Sequence, residues 1–175
     1  MDFFEHAGKK AIGSRLRFLT EILTRDASDI YELYGVDIKP KWFPVFYSLI
    51  YEQPQNVTSI AKGIGQTHPS VSTIVKEMKK AGIIQEMDDK EDRRRTLISL
   101  TEHGMFLYKK LVVQLRDVEY AVDSVSSECD NDLWAAIADW EKALARRSMV
   151  DRVREIKEKR EQLSLDKSLI SNELY

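Results

Sequence analysis

Apolar residues recur at three- and four-residue steps along most of the chain, and this spacing is typical of amphipathic helices. The first such stretch covers residues 10–34, and Gly35 follows it as a C-terminal stop. A second helix is predicted over residues 40–50, with a proline at its first position. The same spacing returns over residues 102–122 and, more weakly towards its end, over residues 133–156. The pattern therefore predicts a mainly α-helical protein.

The centre of the chain contains shorter segments. Residues 58–64 and 67–82 predict two helices joined by a tight turn at Gly65, which is the helix-turn-helix arrangement. Residues 83–87 and 95–100 predict two short strands on either side of a charged stretch, and a hairpin directly after the second helix is a wing. The predicted fold class is mainly α with a small β-hairpin wing: a winged helix-turn-helix with long N- and C-terminal dimerisation helices.

The two short helices have recognisable starts. Either Asn56 or Thr58 caps the first, because both side chains can accept a hydrogen bond from a backbone N–H of the first turn. The second begins near Thr67 or His68 and carries Pro69 in its first turn, where a missing N–H costs nothing.

Composition narrows the function classes. Hydrophobic residues make up 43% and charged residues 32% of the 175 positions, which is typical of a folded protein with charged helix faces. No apolar run approaches the roughly 18 residues of a membrane span, and the first residues lack the order of a signal peptide, so we expect a cytoplasmic protein without a membrane partner. Cys129 is the single cysteine, which excludes an intrachain disulfide and a thiolate zinc cluster.

The net charge of −2 conceals a local basic excess. Between Val57 and Lys110 there are ten Lys and Arg residues against seven Asp and Glu residues. Arg93, Arg94 and Arg95 stand together at the predicted hairpin tip, where their mutual repulsion is a cost unless an anion is expected. Guanidinium groups suit a narrow and negative minor groove of DNA.

The helix over residues 67–82 has two distinct faces. Its apolar residues at positions 71, 74, 75 and 78 fix a buried stripe, so the opposite side carries small hydroxyls and a lysine. Such side chains allow a helix to lie deep in the major groove and to contact base edges. The predicted DNA-binding residues are Thr58, Ser59, His68, Ser70, Ser72, Thr73, Lys76, Arg93, Arg94 and Arg95, with Asp92 orienting Arg94.

Two stretches carry a family resemblance. Residues 89–95 followed by residues 100–104, Leu-Thr-Glu-His-Gly, are similar to the wing signature of the MarR (multiple antibiotic resistance regulator) family. Residues 58–61, 68–72 and 80–83 resemble that family's helix-turn-helix, and the resemblance covers roughly residues 11–145.

The resemblance implies a homodimeric regulator that binds double-stranded DNA. It implies that one recognition helix enters each half-site and that Arg94, supported by Asp92, reaches the minor groove. Two helices related by a two-fold axis enter successive major grooves about 34 Å apart, so the operator is expected to be near-palindromic. The segments expected are 1–35 (N-terminal dimerisation helix), 36–104 (DNA-binding lobe), 105–162 (C-terminal dimerisation helices) and 163–175 (flexible tail), all in one intertwined domain.

Aromatic residues cluster at the junction of the first two predicted helices. They are consistent with core packing, since aromatics at helical spacing usually pack against one another. The family analogy adds the alternative of a pocket for a small aromatic effector that relieves repression. The residues of this candidate pocket are Tyr31, Tyr34, Trp42, Phe43, Phe46 and Tyr47.

Other functions have weaker support in the sequence. His6, His68 and His103 are scattered, and neither a glycine-rich phosphate loop nor a metal-ligand spacing occurs, so we predict neither catalytic residues nor a metal or cofactor. The alternative that remains is a winged-helix module that binds another protein and not DNA. Phosphate contacts would distinguish the two, because they make binding steeply salt-dependent.

Overall fold

The computed structural model describes residues 2–88 and 96–172, with the side chains of residues 164–172 excepted. Its helices are α1 (Phe3–Ala7), α2 (Ile12–Leu33), α3 (Phe43–Tyr51), α4 (Val57–Gly63), α5 (His68–Lys80), α6 (Glu102–Ser127), α7 (Leu133–Arg146) and α8 (Met149–Asn172). Strands β1 (Ile84–Asp88) and β2 (Thr96–Leu100) lie between α5 and α6. None of the described helices has the length and apolar character that a membrane crossing requires.

The predicted fold class is confirmed, with differences at the N-terminus. The sequence predicted one helix from residue 10, whereas the structure has a short helix α1 and a 3₁₀ turn (Gly8–Ala11) before α2 begins at Ile12. Gly8 ends α1 with φ of 57°, a conformation that favours glycine. The Phe4 ring lies 5.9 Å from the Phe18 ring, which places α1 beside α2.

The hydrophobic core belongs to the central elements. Side chains from α3, α4, α5, both strands and the start of α6 meet there, which satisfies the apolar faces of elements too short to be stable alone. The largest fully buried side chains are Phe46, Leu49, Ile60, Met78, Ile83, Ile98 and Leu111.

The wing is an antiparallel hairpin with one additional pairing. β1 pairs with β2 in a register that sets Ile84 opposite Leu100 and Asp88 opposite Thr96. On its other side β2 accepts Gln55, whose backbone N–H and C=O bond to Ile98 at 3.0 and 2.7 Å. The sequence did not predict this third chain segment, which joins the middle of β2 to the loop before α4.

Contacts divide the chain into two compact units, residues 1–119 and residues 120–175. In the second unit the predicted helical stretch over residues 133–156 is interrupted at Arg147 and Ser148. The Ser148 hydroxyl accepts from the Asp151 N–H at 3.1 Å and so caps α8. α8 then continues to Asn172, past the position where the sequence predicted the ordered chain to end. The division into dimerisation and DNA-binding segments stays a prediction.

Gly104 joins the start of α6 to the wing. A Cβ atom at this position would lie 2.3 Å from the Ile83 carbonyl oxygen and 3.2 Å from a Leu100 methyl group. The Thr101 hydroxyl reinforces the junction, because it donates to the Gly82 carbonyl at 2.6 Å and accepts from the Gly104 N–H at 3.1 Å. Only glycine therefore fits where α6 touches the residue that precedes β1.

Gly104→Ala is expected to destabilise the protein, because the new methyl group meets backbone that cannot rotate away. Overpacking of this kind costs about 1–3 kcal/mol in the free energy of unfolding. Gly13→Ala in α2 is the matched control, since a Cβ there meets nothing within 4 Å. It is expected to be neutral or to stabilise by roughly 0.5–1 kcal/mol, the usual gain for alanine over glycine within a helix. Urea denaturation measures both, and equal effects would contradict the close contact.

Candidate nucleic-acid interface

The helix-turn-helix is built from α4, α5 and the turn between them. Asn56 caps α4, since its side chain accepts the Ser59 N–H at 2.9 Å, which selects one of the two predicted caps. Gly65 adopts φ of 67° in the turn, and the Gln66 N–H returns to the Ala61 carbonyl at 3.0 Å. Three residues, 65–67, thus separate the C-cap of α4, Ile64, from the first residue of α5, His68.

The two faces of α5 are as the apolar spacing predicted. The buried side chains of this helix are Val71, Ile74, Val75 and Met78, none more than 6% exposed. Thr67 caps the helix by accepting the Ser70 N–H, and Pro69 lies in the first turn. The core therefore fixes the rotation of α5 about its axis, and with it the set of side chains that faces outward.

Most of the predicted DNA-binding residues in the described part of the chain are exposed. All of them belong to α4 or α5, so the helix-turn-helix places them on two neighbouring helices. Ser72 of α5 is half-buried. The exposed ones are Thr58, Ser59, His68, Ser70, Thr73 and Lys76. We call the exposed Ser70, Thr73 and Lys76 of α5 the polar face.

Two hydroxyls of the polar face already donate hydrogen bonds within the protein. Thr73 donates to the Pro69 carbonyl at 3.0 Å, and Ser70 lies 3.2 Å from the Gln66 side-chain oxygen, to which it donates. A hydroxyl has one proton and two lone pairs. These two side chains therefore present acceptor lone pairs outward, and Thr73 presents a methyl group as well.

The other predicted DNA-binding residues belong to the tip of the wing, which the structure does not describe. Asp92, Arg93, Arg94 and Arg95 lie outside the described residues. The strands that lead to and from them end at Asp88 and resume at Thr96.

Two ion pairs fasten α5 to its neighbours, and the sequence reasoning missed both. Glu77 accepts hydrogen bonds from the Lys41 ammonium at 2.7 Å and the Trp42 indole N–H at 2.8 Å. Lys79 pairs with Glu86 of β1. The hydrogen bonds from Lys41 and Trp42 hold the pKa of Glu77 below its usual value. Neither pair has a signal in the sequence, because polar contacts between distant positions follow no period.

The six aromatic residues of the candidate effector pocket separate into groups. Tyr31, Trp42 and Phe46 are buried in the core, as the packing alternative predicted, and burial raises the pKa of Tyr31. Tyr34 is half-buried and donates to Asp117 of α6 at 2.5 Å, a bond that raises the pKa of Tyr34. Phe43 and Tyr47 remain accessible.

Phe43 and Tyr47 line a groove of about 770 Å³ between α3 and α6. On the α6 side the groove is lined by Tyr108, Leu115 and Arg116 among others. Tyr51 continues the aromatic wall, with its ring 5.4 Å from that of Tyr47. This is a concave surface with aromatic walls and one charged side chain of each sign, Arg116 and Glu119. The sequence placed it only in part, because the α6 side is distant along the chain.

Comparison with protein families identifies the central lobe. Residues 36–95, which include α3, α4, α5 and β1, match the family model described as MarR family. Over these residues, the chain is similar to the MarR family. The matched segment contains the helix-turn-helix and the polar face.

Known regulators are similar to this chain in sequence, and solved structures are similar to it in fold. The chain is 26% identical over 91 residues to the HTH-type transcriptional regulator PapX of Escherichia coli, and the match covers 52% of this chain and 56% of PapX. The chain thus spans little more than half the length of that relative. The fold is similar to the S. aureus MepR–DNA complex (TM-score 0.63, 22% identity, 77% of this chain and 97% of that one). It is also similar to the PcaV transcriptional regulator of Streptomyces coelicolor in complex with its natural ligand (TM-score 0.59, 17% identity, 78% and 93% covered).

Proposed function

We propose that this protein is a MarR-family transcriptional regulator that binds double-stranded DNA in a sequence-specific manner. The observation that carries the proposal is the polar face of α5, held outward by a fully buried apolar stripe on the opposite side of the same helix. A recognition helix with small hydroxyl side chains approaches base edges closely. The similarity to MepR, whose structure is a complex with DNA, supports the same use of the fold.

The wing completes the proposed DNA contact. Arg93, Arg94 and Arg95 follow β1 and precede β2, and the basic side chains are proposed to contact phosphates and the minor groove. Asp92 is proposed to orient Arg94 two positions along the chain. The acidic residues of the same stretch balance its charge, so we expect moderate affinity that depends on salt.

The regulator is proposed to act as a homodimer. α7 is amphipathic in sequence yet has no buried residue, with Trp134 86% and Trp140 49% exposed. α2 likewise leaves Leu16, Phe18 and Leu23 exposed. Large apolar side chains left exposed on a helix are typical of a face that a second copy covers.

Lys76→Ala is expected to weaken binding to any duplex and to reduce the slope of log K against log salt concentration by about 1, because one phosphate contact is lost. Arg94→Ala is expected to act in the same way without dissociating the dimer. Lys10→Ala, an exposed lysine outside the lobe, is the control and should leave the slope unchanged. Fluorescence anisotropy across a salt series measures the slope. A wild-type slope near zero would favour the protein-interaction module over the DNA regulator.

The dimer makes a geometric prediction about the operator. Two half-sites with centres about 10 bp apart are expected, because the two recognition helices enter successive major grooves on one side of the duplex. Protection mapping on fragments that the protein retains from its own genome tests the spacing, and sedimentation of the free protein tests the dimer. A single unpaired half-site, or a monomer that binds at full affinity, would refute the two-fold arrangement.

The regulator is further proposed to be a repressor relieved by a small aromatic effector that binds in the groove between α3 and α6. The groove offers stacking surfaces from Phe43 and Tyr47 and a cation from Arg116, which is proposed to pair with the carboxylate of an aromatic acid on the part of the wall away from Glu119. PcaV, of similar fold, is known in complex with a natural ligand. An effector that prefers the non-binding conformation by about 1.4 kcal/mol lowers operator affinity tenfold.

A panel of aromatic acids is expected to contain compounds that raise the melting temperature and release operator DNA. A ligand present at 100 times its Kd adds about 2.7 kcal/mol to the free energy of unfolding. Arg116→Met should abolish the shift by removing the cation, whereas Tyr120→Ala, which alters an exposed tyrosine outside the groove, should not. Calorimetry then gives the affinity. No binding across a broad panel would count against the effector site.

A further inference from the structure

Glu77 occupies a chemically unfavourable position for a DNA-binding helix. It lies on α5 one turn beyond Thr73 of the polar face, and a carboxylate there adds negative charge to a surface proposed to face phosphates. Its side chain is only 32% exposed, because it is turned towards the segment that precedes α3. If charge alone decided DNA binding, removing this carboxylate would raise the affinity for DNA.

The partners of Glu77 explain what the carboxylate does. Trp42 is 5% exposed, so its indole N–H is a buried donor that needs an acceptor, and Glu77 supplies one at 2.8 Å. Lys41 adds a charge-assisted bond at 2.7 Å, and Lys39 lies 5.0 Å from the centre of the Trp42 ring. One carboxylate therefore connects α5 to a 3₁₀ turn (Pro40–Trp42) that is itself held by the core.

The position of that turn gives the connection its consequence. The turn follows the buried residues Val36 and Ile38 and leads directly into α3, so it lies at the start of the lobe, between α2 and α3 in the chain. The apolar stripe sets the rotation of α5 about its axis, but apolar packing is not directional. Two hydrogen bonds of defined geometry restrict the tilt of the C-terminal half of α5, and the Lys79–Glu86 pair restricts it from the β1 side.

We propose that Glu77 is a positioning residue for DNA binding, which acts through Lys41 and Trp42 to hold α5 at the tilt that its polar face needs. The proposal rests on the proposed function of the lobe. It differs from that function in assigning a role to an acidic residue that does not contact DNA.

The two accounts of Glu77 predict opposite changes in DNA affinity when the carboxylate is removed: charge alone predicts tighter binding, and positioning predicts weaker binding. The probe is a duplex that the wild-type protein selects from a random-sequence library, compared with a scrambled duplex of equal length and composition. Glu77→Ala is expected to weaken affinity for the selected duplex about tenfold although the lobe gains positive charge. Glu77→Gln retains an acceptor for the Trp42 N–H and is expected to lose only about threefold. Glu52→Gln, an exposed acid in the same lobe with an equal change of charge, is expected to bind as well as wild type or slightly better.

A second variant separates positioning from loss of folded protein. Trp42→Phe keeps most of the buried ring and removes the N–H, so it should weaken binding several-fold, and the Trp42→Phe/Glu77→Ala double variant should be no weaker than the weaker single variant. A smaller folded fraction lowers both affinities by one factor, whereas mispositioning lowers the ratio of selected to scrambled binding. If Glu77→Ala remains folded by circular dichroism and keeps the wild-type ratio, the positioning role is overturned. If the wild-type protein itself binds duplexes without salt dependence, the proposed function is overturned, and the positioning role with it.

Discussion

The burial of one apolar stripe on α5 is the constraint on which the rest of this structure depends. Four side chains at positions 71, 74, 75 and 78 enter a core shared with α3, α4 and the hairpin, and they leave the helix a single rotational setting. Everything exposed on α5 is exposed for that reason. The polar face is a consequence of the packing, and evolution of the outward residues can proceed without disturbing the inward ones.

Periodic features were accessible from the sequence, and polar tertiary contacts were not. The α5 stripe, the hairpin and the stop at Gly65 each follow from local rules of spacing, strand propensity or positive φ. The Gln55 pairing with Ile98, the Glu77 bonds and the Tyr34–Asp117 bond join positions that are far apart in the chain, so no local pattern announces them. The break between α7 and α8 was missed because apolar spacing continues across it, while Arg147 is extended at the end of one helix and Ser148 caps the next.

The six aromatic residues of the candidate effector pocket divide between the core and the groove. Tyr31, Trp42 and Phe46 are buried in the core, where they pack the end of α2 against α3 and the turn before it. Phe43 and Tyr47 come from the same short stretch of chain but face the groove, because a helix distributes neighbouring residues around its axis. Residue type alone could not separate the two groups. The orientation of α3 against the core decides which rings remain available to a ligand.

The close approach at Gly104 has a mechanical meaning. With no side chain between the first turn of α6 and the Ile83 carbonyl, and with the Thr101 hydroxyl bridging to Gly82, the helix start and the end of α5 share one rigid joint. α6 also forms a wall of the groove. Because the same helix carries the groove wall and this joint, a shift of α6 on the groove side would bear directly on the backbone that links α5 to β1.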